Sequence, residues 1–158
     1  MQDSREKRHS IMDLIESRGP ELASQIDLLA SFINRWAIDK GFWKQEEELS
    51  RLVEIAKSNA LISEEDRDYL NGAIKSLVSS TKQMLVITEI AEYVEGLRST
   101  TPDKDCAELG FSNEEVEVAD AIIRLLDLAA HRKYRIGDAI MAKMSKNCGR
   151  PYQHGRLF

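Results

Sequence analysis

The sequence has few of the residues that cross-link small folds or interrupt helices. Two cysteines, Cys106 and Cys148, are too few for a disulfide framework, and neither belongs to a Cys-x-x-Cys zinc motif. Proline occurs only at positions 20, 102 and 151, and no apolar run approaches the roughly 20 residues that span a bilayer. The charged start leads into no signal-peptide apolar region. We therefore expect a cytoplasmic protein without a membrane segment.

The chain also lacks an excess of basic residues. Its 158 residues include 22 basic and 27 acidic side chains, which give a net charge of −5. A nucleic-acid polymer is therefore not an expected partner, because such surfaces are basic. An acidic protein can still bind a single nucleotide where metal ions and a few cations neutralise the phosphates. The apolar share of 42% is compatible with a packed core.

Apolar residues recur at spacings of three and four along the chain, which predicts an all-α bundle. Residues 1–20 are expected to be flexible or to form a short helix that ends at the Gly19-Pro20 break. A single domain is expected over 21–158, with helices at about 21–40, 45–58, 64–98, 113–133 and 136–146. Small or polar residues mark helix ends and starts: Gly41 as a stop, Ser63 and then Ser112 or Asn113 as caps. Residues 99–111 are expected to form a loop.

Two acidic signatures lie one loop apart. Glu89 and Glu92 form the first pair, and Glu117 and Asp120 form the second. Residues three apart project from one side of a helix, so four carboxylates from two neighbouring helices can surround one cation. Hard oxygen ligands of this kind suit magnesium better than zinc or copper. A ferritin-like di-iron centre is disfavoured, because it needs Glu-x-x-His on two helices and only residues 6–9 have that spacing.

The two acidic helices differ in the face that carries the acids. On the first, an apolar stripe runs directly into Glu89 and Glu92, so a cation is expected to meet them. On the second, a polar stripe of Glu117, Asp120, Arg124, Asp127 and His131 is typical of a solvated surface. The opposite face of that helix is expected to be buried; it comprises Val116, Ala119, Ile122, Ile123, Leu126 and Ala130.

Cationic and aromatic residues elsewhere are candidate contacts for a nucleotide. Near the end of the chain, Lys143 and Arg150 can reach phosphates, Asn147 can hydrogen-bond a sugar or phosphate, and Tyr152 can stack on a ligand. For Lys143, the alternative is that it complements the dipole of its helix. Aromatic residues more often belong to a core, but two are candidate base contacts: Trp36 and Trp43.

These motifs, in this order, resemble the MazG-like all-α nucleoside triphosphate pyrophosphohydrolases. The segments that carry the resemblance are Trp36 with Lys40-Gly41-Phe42-Trp43, Thr88 to Arg98, Glu114 to Ala129, and Lys143 to Gly155. Together they lie within about 22–43 and 80–156. Between Trp43 and Glu89 the chain is longer than compact relatives, and the extra segment at about 45–80 is expected to lengthen the metal-bearing helix, cover the site or form an oligomer interface.

The resemblance implies a long central metal-bearing helix and magnesium, with manganese as a substitute, on Glu89, Glu92, Glu117 and Asp120. It implies cleavage of a nucleoside triphosphate between the α and β phosphates, in a homodimer or homotetramer. Lys143, Asn147 and Tyr152 would contact the ligand, and Arg150 is a weaker candidate.

The chemistry of the residues fits the same class of reaction. Hydrolysis of a triphosphate needs a positioned water, and Glu89 is the candidate to orient or deprotonate it. Two alternatives remain open. The acidic stripe can be a docking surface of a non-catalytic helical module, or the fold can bind a triphosphate without cleaving it.

Overall fold

The computed structural model describes residues 2–99, 101 and 103–150, with side chains from residue 11 onward in these ranges except that of Asp105. These residues form six helices and no strand: α1 (Gln2–Asp39), α2 (Lys44–Ser58), α3 (Glu64–Gly96), α4 (Lys104–Leu109), α5 (Asn113–His131) and α6 (Ile136–Cys148). The prediction of an all-α fold is confirmed. Within the described part of the chain, none of these helices combines the length and apolar character needed to cross a bilayer.

The first helix continues through the expected break at Gly19-Pro20. α1 contains Pro20 in its interior, so the prediction that a helix ends there is wrong. Proline removes one backbone donor, and a long helix can tolerate that loss where packing compensates. Gly19 is buried, and a Cβ added there would lie 3.8 Å from side-chain atoms of Met141. Gly19 therefore lies against α6, within a helix that continues through the local helix-breaking signal.

The chain divides into two compact units, Met1–Phe32 with Ala129–Phe158 and Ile33–Leu128. In the first unit, α1 and α6 approach each other closely at Gly137. A Cβ added at Gly137 would overlap the backbone carbonyl of Ala23, so only glycine fits. The Gly137 N–H donates to Asp27 Oδ1 at 2.9 Å. Asp27 thus satisfies a backbone donor at the start of α6 that has no partner within its own helix.

In the second unit, α2 packs against α3. Ser63 begins α3 with a capping box: its hydroxyl accepts the Asp66 N–H at 3.0 Å, and Asp66 accepts the Ser63 N–H at 3.2 Å. Asn71 of α3 donates to Glu54 of α2 at 3.3 Å. The extra segment at about 45–80 therefore consists mainly of α2 and the first half of α3. It lengthens the helix that carries Glu89 and Glu92, which is one of the three roles expected for it.

The predicted bounds of α2, α3, α5 and α6 agree with the observed ones to within two residues. Gly41, at φ +80°, lies in the turn after α1, where left-handed backbone suits glycine. Ser112 caps α5, because its hydroxyl accepts the Glu115 N–H at 3.2 Å. The short α4 lies within the expected loop at 99–111, so that part of the loop prediction is wrong.

The orientation of α5 differs from the prediction. Asp127 is buried, at 6% exposure, whereas Ile122 is 49% exposed and Ala119 is also exposed. The helix therefore directs Asp127, from the polar stripe, into the unit and exposes part of its apolar face. Leu126 is buried as expected, but the predicted burial of Ala119 and Ile122 is wrong. A hydrogen bond from Asn34 of α1 and an ion pair with Lys82 of α3 compensate for the burial of the Asp127 charge.

Candidate metal centre and the adjoining pocket

Three of the four predicted metal-binding acids meet between α3 and α5. One carboxylate oxygen from each of Glu89, Glu117 and Asp120 lies within 4.8 Å of the others. Glu117 and Asp120 are three residues apart on α5, which places them on one side of the helix. Glycine at position 96 permits the close approach of the two helices, because a Cβ there would lie 3.0 Å from Cβ of Asn113. The sequence spacing and this close approach together assemble the cluster.

The fourth predicted ligand, Glu92, is exposed and does not belong to this cluster. It lies one turn after Glu89 on α3 and shares a surface depression with Glu117. Its charge helps to raise the pKa of Glu117. Glu92 is therefore electrostatically coupled to the cluster, and its role as a ligand stays a prediction.

The ionisation of Glu117 is strongly perturbed by its surroundings. Its pKa is raised to about 7, first by burial, then by the charge of Glu92, and further by its hydrogen bond to Glu89 and the charges of Glu89 and Asp120. Burial and the charge of Glu89 also raise the pKa of Asp120, while the positive charge of Arg124 opposes that change. These carboxylates therefore repel one another when all are ionised.

One carboxylate oxygen of the cluster is available to bind a cation. Among the described residues, Glu117 Oε2 is buried and has no hydrogen-bond partner. A buried oxygen without a donor is costly, and a cation can satisfy it. The oxygen-only ligand set fits magnesium or manganese, which prefer hard carboxylate ligands.

Glu89 is paired with a cation supplied by the protein. Arg124 Nε donates to Glu89 Oε1 at 2.6 Å. The Glu89 side chain is only 5% exposed, whereas that of Arg124 is 40% exposed. The sequence predicted that a cation would meet this acid, and Arg124 meets it in this structure. Arg124 lies one turn after Asp120, so its place in the polar stripe was the available signal.

A small pocket adjoins the cluster through Asp120 and Arg124. It has a volume of about 220 Å³, and an aromatic wall is formed by Trp36 and Phe42, whose ring centroids are 5.6 Å apart. Its other lining residues are Ile33, Ala37, Lys82, Leu85, Ile123 and Asp127. An apolar wall with a few convergent charges is typical of a small-molecule site.

Lys82 is a second cation at this pocket, and the sequence analysis did not identify it. Its Nζ lies 3.6 Å from Asp127 Oδ2 and 4.3 Å from the centroid of the Trp43 ring. Burial lowers the pKa of Lys82, while Asp127 opposes that change. Lys82 precedes Glu89 by seven residues, which is two helical turns, so a search of the acidic face for cations would have found it.

Asp127 holds the elements behind the pocket together. Its Oδ1 accepts hydrogen bonds from Trp43 Nε1 and from Asn34 Nδ2, each at 2.8 Å. Trp43 is 1% exposed and packs with Ala37 and Leu128. The Trp43 ring therefore belongs to the core rather than to the pocket wall, and of the two tryptophans only Trp36 faces the pocket.

The C-terminal candidates belong to the first unit. Lys143 and Asn147 are exposed on α6. Arg150 follows that helix, and its N–H donates to the Asn147 carbonyl at 3.0 Å. Tyr152 lies outside the described residues. Their contacts with a ligand stay predictions.

Comparison with protein-family models, with curated proteins and with solved structures found no match for this chain.

Proposed function

We propose that the protein is a magnesium-dependent nucleoside triphosphate pyrophosphohydrolase that releases a nucleoside monophosphate and pyrophosphate. One observation carries the proposal: Glu89, Glu117 and Asp120 converge next to a pocket that contains two cations and an aromatic wall. The resemblance of the same acids to the MazG-like signature supports it independently. Neither a metal-ligand cluster nor a pocket alone would indicate this reaction.

The chain's own residues suit the binding of a triphosphate. Glu89, Glu117 and Asp120 would hold the metal, with Glu92 as the proposed fourth ligand. Bound magnesium would neutralise phosphate oxygens and polarise the phosphorus that is attacked. Lys82 and Arg124 line the pocket and would contact phosphate oxygens, and a base would stack on Trp36 with Phe42.

Glu89 is proposed to orient or deprotonate the attacking water. It is the most buried acid of the cluster, at 4% exposure, and it contacts both Arg124 and Glu117. A carboxylate fixed in this way can accept a proton from water in a defined direction. Lys143, Asn147, Arg150 and Tyr152 are proposed as further ligand contacts on the strength of the resemblance.

The test is product analysis with a panel of ribo- and deoxynucleoside triphosphates, with magnesium and with a chelator. We expect pyrophosphate and nucleoside monophosphate in equal amounts, only when magnesium is present. Release of inorganic phosphate and a nucleoside diphosphate would contradict cleavage between the α and β phosphates. Tight binding of a triphosphate without products would favour a non-catalytic nucleotide-binding module.

We further propose that the protein works as a homodimer or homotetramer. α5 exposes Val118, Ile122 and Leu125 at spacings of four and three, with exposures of 42%, 49% and 49%. α3 also exposes large apolar side chains on its second half: Met84, Ile87, Ile90 and Val94. Contiguous apolar faces of this kind mark interaction surfaces, and a second copy is the occupant proposed here.

A further inference from the structure

Arg124 pairs with Glu89 at the place where the proposed metal would bind. Its Nε–H occupies one oxygen of that carboxylate at 2.6 Å. A magnesium ion bound to the same carboxylate would need direct contact at about 2.0–2.1 Å and would repel the guanidinium. Full engagement of Glu89 by both cations is therefore unfavourable. In this structure Arg124 therefore neutralises one of the acids that are proposed to bind the metal.

We propose that Arg124 is an exchangeable counter-ion of the site: it neutralises Glu89 in the metal-free protein, and metal binding releases it to bind a phosphate of the substrate. The inference rests on the proposed function, since it requires a metal and a triphosphate. Arg124 is then a positioning and phosphate-binding residue. When a metal occupies its site, Arg124 becomes available to bind a phosphate in the pocket.

The surroundings of Arg124 fit such an exchange. Its side chain is 40% exposed, so the guanidinium can reorient without being freed from a packed core. It lines the pocket beside Asp120, Trp36 and Phe42, where a phosphate adjoining the metal would lie. A guanidinium group can donate two parallel hydrogen bonds to a phosphate, which favours arginine over lysine at such a position.

The second cation of the pocket is held differently. Lys82 is 15% exposed, pairs with Asp127 at 3.6 Å and lies over the Trp43 ring. Asp127 is in turn fixed by Trp43 and Asn34. Lys82 therefore lies on a rigid network, whereas Arg124 pairs with an acid of the metal cluster itself. Only Arg124 is placed to couple the two sites.

The test measures two binding constants without turnover. Mn²⁺ affinity is measured by electron paramagnetic resonance with no nucleotide, and affinity for an α,β-methylene triphosphate analogue is measured by calorimetry with magnesium. For Arg124→Met we expect Mn²⁺ to bind about tenfold more tightly, because a competing positive charge is gone. We expect the analogue to bind about tenfold more weakly, because a phosphate contact is lost.

Arg51→Met is the matched control, since it removes an exposed arginine of α2; both constants should match wild type. Arg124→Lys keeps the charge without the paired donors. It should leave Mn²⁺ affinity nearly unchanged and weaken the analogue several-fold. This variant decides the question if Arg124→Met does not fold.

A purely structural role for Arg124 predicts other results. Folded Arg124→Met with unchanged or weaker Mn²⁺ binding would overturn the exchange, as would analogue affinity equal to wild type in Arg124→Lys. If wild-type protein itself binds neither Mn²⁺ nor the analogue, the proposed function fails as well. Binding of both by wild type, with no difference in the Arg124 variants, would overturn this inference alone.

Discussion

Glu117 is the residue whose ionisation would link metal binding to pH. Its pKa is raised from 4.5 to about 7 by burial, by Glu92 and by Glu89. Between these two pH values the metal-free folded protein keeps a proton on Glu117 that the unfolded chain has released. Stability from this group is fully present below pH 4.5 and is lost as pH rises towards 7. Metal binding requires the deprotonated carboxylate, so its pH dependence has the opposite sign.

We therefore expect Mn²⁺ affinity to fall about fivefold from pH 7 to pH 6, and by about tenfold per unit below that, in proportion to the fraction of ionised Glu117. Titrations at a series of pH values measure this directly. Glu117→Gln should remove this part of the pH dependence and weaken the affinity at pH 7.5. A wild-type affinity that does not change between pH 6 and pH 7 would contradict the assignment.

The two tryptophans provide a second test at the residue scale. Trp43→Phe removes the indole donor to buried Asp127 and should lower the free energy of unfolding by about 1–3 kcal/mol. Trp36 is 47% exposed on the pocket wall, so Trp36→Phe should change stability little and weaken nucleotide binding instead. Urea denaturation and analogue titration separate the two effects. Equal loss of stability in both variants would contradict the different environments described for them.

At the scale of the helices, local signals predicted where most elements begin and end. The Ser63 capping box and Gly41 carry their information within a few residues, which is why α2 and α3 were predicted closely. Gly19-Pro20 signals a break, but α1 continues through it, and Gly19 lies against Met141, which is far away in the sequence. Tertiary packing of this kind cannot be read from local residue preferences.

The candidate site was predictable in part for a related reason. Spacing placed Glu117 and Asp120 on one side of α5, as found. The amphipathic pattern of α5 defines two faces, but it does not say which one meets α3. Apolar faces are expected to be buried within a chain, and here Ile122 remains exposed while Asp127 is buried. That choice depends on the partners of Asp127, which are the half-buried Asn34 and the buried Trp43.

The close approach of α1 and α6 is testable with two helical glycines. Gly137→Ala should destabilise the protein by about 3 kcal/mol, because the added methyl would overlap the Ala23 carbonyl. Gly72→Ala is the control: nothing lies within 4 Å of its added methyl, so it should stabilise α3 by about 0.5–1 kcal/mol. Thermal and urea denaturation give both values. Similar effects at the two positions would contradict the backbone contact at Gly137.

At the scale of the whole molecule, the exposed apolar face of α5 predicts self-association. Analytical ultracentrifugation should give two or four times the chain mass of 18.0 kDa. Ile122→Lys should shift the protein towards monomer, because it places a charge in the proposed interface. Tyr69 is 75% exposed in the first part of α3, away from the exposed apolar residues of its second half. Tyr69→Lys is the control and should leave the mass unchanged. A wild-type monomer at micromolar concentration would contradict self-association.

We propose that the three converging carboxylates give this protein a magnesium-dependent pyrophosphohydrolase activity. The most direct measurement is magnesium-dependent pyrophosphate release by wild type, Asp120→Asn and Glu65→Gln with the best triphosphate of the panel. Asp120→Asn removes one ligand charge from the cluster, and Glu65→Gln removes an exposed charge at the start of α3. We predict that Asp120→Asn loses activity by about a hundredfold or more with unchanged helical content, while Glu65→Gln matches wild type. Equal rates in all three proteins would contradict a catalytic metal site at these carboxylates.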